Sequence, residues 1–133
     1  MIEQTCAIIK PDAVEAHSTG KIIDIIENKG FEIVRLEKRT FSKELAEKFY
    51  AVHSSRPFFG ELVDFITSGP VVTMVLKKEN AITEWRNLMG DTNPAHAAQG
   101  TLRKQFGTDI GKNATHGSDS SQNAETEINL LFS

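Results

Sequence analysis

The sequence predicts a single α/β (α+β) domain in which helices cover a small sheet. Three observations carry this. Short β-rich runs alternate with amphipathic helical patterns from end to end. Breakers fall between them: Pro11, Gly30, Pro57, Ser68-Gly69-Pro70 and Gly90. The 133 residues, 39% hydrophobic and 25% charged, suit one domain with its own core, residues 1–133.

The elements follow in order. Thr5 to Ile9 reads as a short buried strand, ended at Lys10-Pro11-Asp12 because proline donates no ladder hydrogen bond. Ser18 or Thr19 caps a helix whose Ile22, Ile23, Ile25 and Ile26 form an apolar stripe, and Gly30 closes it. Phe31 to Leu36 reads as a strand. Ser42 caps a helix with Leu45, Phe49 and Val52 inward, and Phe58 to Thr67 forms another, using Leu62, Phe65 and Ile66. Val71 to Leu76 is a β-rich run between breakers. Ile82, Trp85 and Met89 stand at helical spacing before Gly90. A loop runs from Gly90 to Gly100, a short helix through Leu102 to Phe106, and after a turn at 117–120 a last helix turns Ala124, Ile128 and Leu131 inward. Periodicity does not give the strand order.

Composition narrows the function. A net charge of -3 argues against a general nucleic-acid binder, since backbone phosphates need a concentrated basic surface. No Lys or Arg occurs from Asn113 onward, so any phosphate pocket takes its cations from upstream. Cys6 is the only cysteine, which excludes an intrachain disulfide and a cysteine zinc site. The first residues do not read as a signal peptide, and no run approaches the ~20 apolar residues of a membrane span. A cytoplasmic protein without membrane contact is expected. The sequon Asn113-Ala114-Thr115 then has no glycosylation to receive.

The segment Asn113-Ala114-Thr115-His116-Gly117-Ser118-Asp119-Ser120 is the most unusual. Gly117 beside His116 gives a bulky ligand room to reach the imidazole. The plainer alternative is a histidine in a turn before a capped helix. His116, Ser118 and Asp119 are too close in sequence for a hydrolase relay, and the G-x-S-x-G elbow is missing. His17, His53, His96 and His116 are too scattered to argue for a metal site. The stretch from Gly107 to Asn113 has three residues between its glycines where a Walker A loop has four, and Asn113 where that loop needs Ser or Thr.

The block N-x-x-H-G-S-D-S over 113–120 resembles the active-site signature of nucleoside diphosphate kinases. Ile9 to Val14, Arg56 to Phe59, Ser68 to Val72, Gly90 to Ala95 and Gly100 to Arg103 resemble further blocks of that family, in its order. The resemblance covers essentially the whole chain. It implies a ferredoxin-like sandwich with a four-stranded antiparallel sheet. It implies exchange of a terminal phosphate, typically from ATP, to a nucleoside diphosphate through phosphohistidine at His116, with Nδ1 attacking.

The roles it implies are particular. Glu127 orients the imidazole, Ser118 supports Glu127, and Tyr50 places a hydroxyl beside the histidine. Lys10, Arg86, Arg103 and Thr92 hold the phosphates, and Asn113 with Lys10 meets the ribose. Phe58 stacks on the base, with Ile110 opposite. Mg2+ arrives mainly on the nucleotide phosphates. The partners are nucleoside di- and triphosphates and further copies of the chain, as tetramer or hexamer. Taken singly, each residue has an ordinary structural explanation; the joint match to one constellation favours the site. Since only six residues follow Glu127, the resemblance is to members with a short tail. An idle nucleotide-binding scaffold on the same fold is the alternative.

Overall fold

The computed structural model describes residues 1–132. Four strands form one sheet in the order β2-β3-β1-β4, with every neighbouring pair antiparallel. They are β1 (Ile2–Ile9), β2 (Glu32–Arg39), β3 (Val71–Glu79) and β4 (Thr115–Gly117). The helices are α1 (Pro11–Glu15), α2 (Thr19–Asn28), α3 (Lys43–Phe49), α4 (Phe59–Ile66), α5 (Ala81–Met89), α6 (Leu102–Phe106) and α7 (Ser121–Phe132). The expected four-stranded antiparallel sheet under helices is therefore present.

The two-residue period of β1 divides the core. Ala7 and Ile9 join the cluster of Ile22, Ile26, Met74, Leu76, Trp85 and Met89 beneath α2 and α5. Cys6 and Ile8 join Phe41, Ala46, Phe49, Val63, Ile66 and Leu131 beneath α3, α4 and α7. With both faces covered, residues 5 to 9 form a continuous buried run rather than an alternating one.

Several local expectations need correction. β1 begins at Ile2, because its partner β3 extends to Glu79 and pairs those outer residues. Pro11 lies just past the end of β1 and also opens α1, where its fixed φ suits a first helical turn and its missing N–H costs nothing. Ser18 makes no side-chain cap, whereas the Ser42 Oγ accepts from Leu45 N at 3.1 Å. Val52 is exposed, since α3 stops at Phe49 and a 3-10 turn swings Val52 outward; Val63 supplies buried surface on α4 instead. Gly30 and Gly90 do end their helices, each with φ near +90° (89° and 85°).

The main correction concerns residues 115–117, which form an edge strand rather than a turn. Ile9, Ile8 and Ala7 pair with Thr115, His116 and Gly117. Gly117 thus falls on the opposite face from His116, against α5. A Cβ there would stand 2.4 Å from Trp85 Cδ1 and 2.6 Å from Met89 Cε. The glycine serves close packing of the tryptophan, not the approach of a ligand to the imidazole. Gly117→Ala should therefore lose about 1–3 kcal/mol of stability by overpacking. Gly60→Ala in α4, where a Cβ meets nothing within 4 Å, should be neutral or slightly stabilising. Paired denaturation curves check this; equal midpoints would contradict it.

Candidate active site

His116 occupies the middle of β4, at the sheet edge. Its face is set by pairing with Ile8, so the imidazole turns toward α3 and α7. Its Nε2 lies 3.1 Å from Glu127 Oε1, and Ser118 Oγ donates to the same oxygen at 2.8 Å. A carboxylate only accepts, so this contact places the ring proton on Nε2 and leaves the Nδ1 lone pair free. Phe49 packs edge-on against the imidazole at 4.9 Å. On the opposite face Trp85 Nε1 donates to the His116 carbonyl at 3.1 Å. Backbone and ring are both fixed.

Glu127 can reach the histidine because α7 crosses beneath β1 and buries Ala124 and Leu131 on the same side of the helix. Tyr50 is buried beside Phe49, with ring centroids 5.0 Å apart. Burial, then the Glu127 charge, pushes its phenol well above the usual range, so it remains a hydroxyl. The same two causes raise the Cys6 thiol, which keeps it an unreactive core group.

A second group of side chains converges just beyond the same, C-terminal end of β1. Lys10 Nζ donates to Asn113 Oδ1 at 2.8 Å, and Asn113 Nδ2 donates to Thr92 O at 3.0 Å. Burial, then the Arg103 charge, lowers Lys10 to about 8, against a partial opposing effect of Asp12. Arg86, Asp91, Thr92 and Arg103 line an open cavity of about 330 Å³. Arg103 spans Gly90 O at 3.0 Å and Thr115 O at 3.1 Å, which ties this cavity to the histidine strand. Burial and the neighbouring Arg86 lower Arg103 to about 10, with Asp91 opposing.

Phe58 is exposed but not isolated. Ring contacts run from His116 through Phe49, Tyr50 and His53 to Phe58, the last two spaced 6.5 and 5.7 Å. Ile110 stands 59% exposed in the loop after α6. Sequence reasoning did not single out Phe49, Trp85 or Asp12 for this site. Phe49 and Trp85 read as core and are core; only the strand register reveals that they also grip the histidine. Asp12, adjacent to a proline in a matched block, accepts from Ala114 N at 3.1 Å.

A nucleophilic imidazole beside an arginine-lined cavity is the arrangement of a phosphotransferase that forms a phosphohistidine. Comparison with known proteins gives the family. Residues 3–133 match the family model described as nucleoside diphosphate kinase. The nucleoside diphosphate kinase of Chlamydia caviae is 57% identical over 132 residues, covering 99% of this chain and 94% of that protein. That of Citrifermentans bemidjiense is 55% identical over 131 residues, covering 98% and 96%. Among solved structures, the Aquifex aeolicus nucleoside diphosphate kinase superposes with a TM-score of 0.98 at 48% identity, covering 100% of this chain and 96% of that one. A halophilic nucleoside diphosphate kinase from Halobacterium salinarum, solved in complex with CDP, gives 0.94 at 42%, covering 99% and 88%. The chain belongs to the nucleoside diphosphate kinase family: it is an enzyme that transfers phosphate between nucleotides through a phosphohistidine. Enzymes of this family generally require a divalent cation. No helix among the described residues is long and apolar enough to cross a membrane.

The buried ammonium gives a direct check on this electrostatic picture. Nitrogen NMR of the free protein should show Lys10 titrating near pH 8. Added ADP should raise that midpoint, because phosphate oxygens favour the charged form. A midpoint above 10 without ligand would show that Lys10 is solvated and not buried as described.

Proposed function

We propose that His116 is the phosphorylated residue and that the remaining candidates act on it or on the nucleotide. The observation that carries this is the Nε2 contact to Glu127, itself braced by Ser118, which leaves Nδ1 as the free nucleophile. In the first half-reaction Nδ1 attacks the terminal phosphorus of the donor triphosphate. The N–P bond forms, the P–O bond to the β-phosphate breaks, and the diphosphate leaves with that electron pair. In the second, a β-phosphate oxygen of the acceptor attacks the phosphohistidine and the electron pair returns to Nδ1.

Arg86 and Arg103 neutralise the phosphoryl oxygens during both steps, and Thr92 adds a hydroxyl. Lys10 and Asn113 hold the ribose end, Tyr50 sits beside the ring, and Phe58 with Ile110 brackets the base. Stacking and apolar contact read no hydrogen-bonding edge, so ribo- and deoxynucleotides of every base should serve. The cavity suits phosphate oxygens more than a bare metal ion: it presents two guanidinium groups and one carboxylate, Asp91. No residue set here would cage Mg2+; carried on the nucleotide, it would supply charge neutralisation to the phosphates beside Arg86 and Arg103. The chain acts as one domain over 1–133, in the cytoplasm, where its nucleotides are made. It works as a homo-oligomer, a tetramer or hexamer built from a common dimer. The edge strand β2 supports association, since Val34 and Leu36 stand exposed along it.

The test mixes pure protein, ATP and a panel of other diphosphates with Mg2+. Wild type should form every new triphosphate, and chelation should stop it. Folded His116→Ala should lose at least ~10³-fold in turnover, as expected when a covalent nucleophile is removed. A folded His116→Ala protein with wild-type turnover would remove His116 from the mechanism.

A further inference from the structure

Ala114, between Asn113 and His116, has φ of 74°, a conformation that a non-glycine residue rarely adopts. Thr115 N donates to Asn113 O at 2.9 Å, so the chain makes a three-residue γ-turn about Ala114. With a positive φ this is the rare, strained form. Ala114 is fully buried, so water cannot pair its peptide groups. Both are met from one short segment instead. Lys10 N donates to Ala114 O at 2.8 Å, and Ala114 N donates to Asp12 Oδ2 at 3.1 Å. The Lys10 side chain adds its bond to Asn113. The start of α1 thus grips this turn at three points across more than 100 residues of sequence.

The strained turn decides how Asn113 and His116 stand relative to each other. One of its three restraints comes from a side chain that no step of phosphate transfer uses. The other carboxylate oxygen of Asp12 is buried and makes no hydrogen bond to any residue beyond its own helical turn. The carboxylate also faces the amides of its own first turn, Asp12 and Ala13, and only its bond from Ala114 N reaches outside α1; that long-range bond is the one that local helix chemistry leaves unexplained. Being an acid in the first turn of α1 explains its charge but not its aim. We propose that Asp12 is a positioning residue for phosphate transfer: its carboxylate holds the Ala114 turn in the strained form that sets His116 against the nucleotide.

This rests on the His116 reading, and the experiment keeps the two apart. Asp12→Ala removes the acceptor. Asp12→Asn keeps an oxygen that can accept from Ala114 N but removes the charge. Folding of each is checked by thermal melts, turnover by phosphate exchange, and binding by ADP titration. Asp12→Ala should lower kcat by about tenfold or more, since small misplacements of reacting groups are costly. Its affinity for ADP should fall by a smaller factor than kcat, because the arginine cavity is built on α5 and α6 and only the Asn113 contact depends on the turn. Asp12→Asn should keep kcat within about threefold of wild type, having retained the hydrogen bond.

In wild type the Ala114 amide proton should move with pH as Asp12 titrates, and in Asp12→Ala it should shift upfield. Wild-type kcat in folded Asp12→Ala overturns the proposal. So does an Asp12→Asn protein whose kcat falls tenfold, which would assign the effect to charge or to helix stability. Should Asp12→Ala not fold, the Asp12→Asn turnover and the Ala114 amide titration decide by the same criteria. An inactive His116→Ala beside a fully active Asp12→Ala would discard this proposal alone. An active His116→Ala would discard the reading beneath it.

Discussion

Three residue pairs between β1 and β4 set the geometry of the whole site. Ile8 opposite His116 sends the imidazole to the α7 face, where Glu127 and Ser118 meet it. Ala7 opposite Gly117 sends the glycine to the α5 face, where Trp85 fills the space and bonds the histidine carbonyl. A one-residue slip would exchange these faces, burying an imidazole against Trp85 and separating it from its carboxylate. So short a strand has little to hold its register. The bonds from Trp85 to His116 O and from Arg103 to Thr115 O provide what three ladder pairs alone do not.

The electrostatic design follows from where β1 ends. Lys10 leaves the sheet buried, and Arg103 is largely covered by its bonds to two carbonyls. Both cations are less comfortable charged than they would be in water, as their lowered pKa values of about 8 and about 10 record. A polyphosphate bound as proposed would relieve both at once. The site therefore stores part of its desolvation in advance, and its dipoles and charges need little rearrangement as the phosphoryl group moves. Buried next to each other without ligand, these cations weaken the free fold slightly and favour the occupied one.

Much of this was legible in the sequence, for identifiable reasons. Val71 to Leu76 and the stripe of α2 are long, periodic and bounded by breakers, so local pattern and tertiary role agree. The helix α6 coincides with the short helix read through Leu102 to Phe106. The strand at 115–117 was not legible, because Thr-His-Gly carries no alternation of its own and exists as a strand only by pairing with β1. For the same reason Gly117 was given the wrong purpose: its neighbour across space, Trp85, is 32 residues away in sequence. The family blocks pointed to residues that the structure gathers into two adjoining clusters. They gave no hint that Phe49 and Trp85 clamp the histidine, since core residues at helical spacing look alike whatever they touch.

Glu127, braced by Ser118, occupies Nε2 of His116, and in the proposed mechanism this chooses Nδ1 for chemistry. The most direct measurement is nitrogen–phosphorus NMR of the protein after brief exposure to ATP, kept at alkaline pH so that the acid-labile bond survives. A phosphorus coupled to Nδ1 of His116, with Nε2 still protonated, is the expected result. Phosphate on Nε2, or on any residue other than His116, would contradict the account.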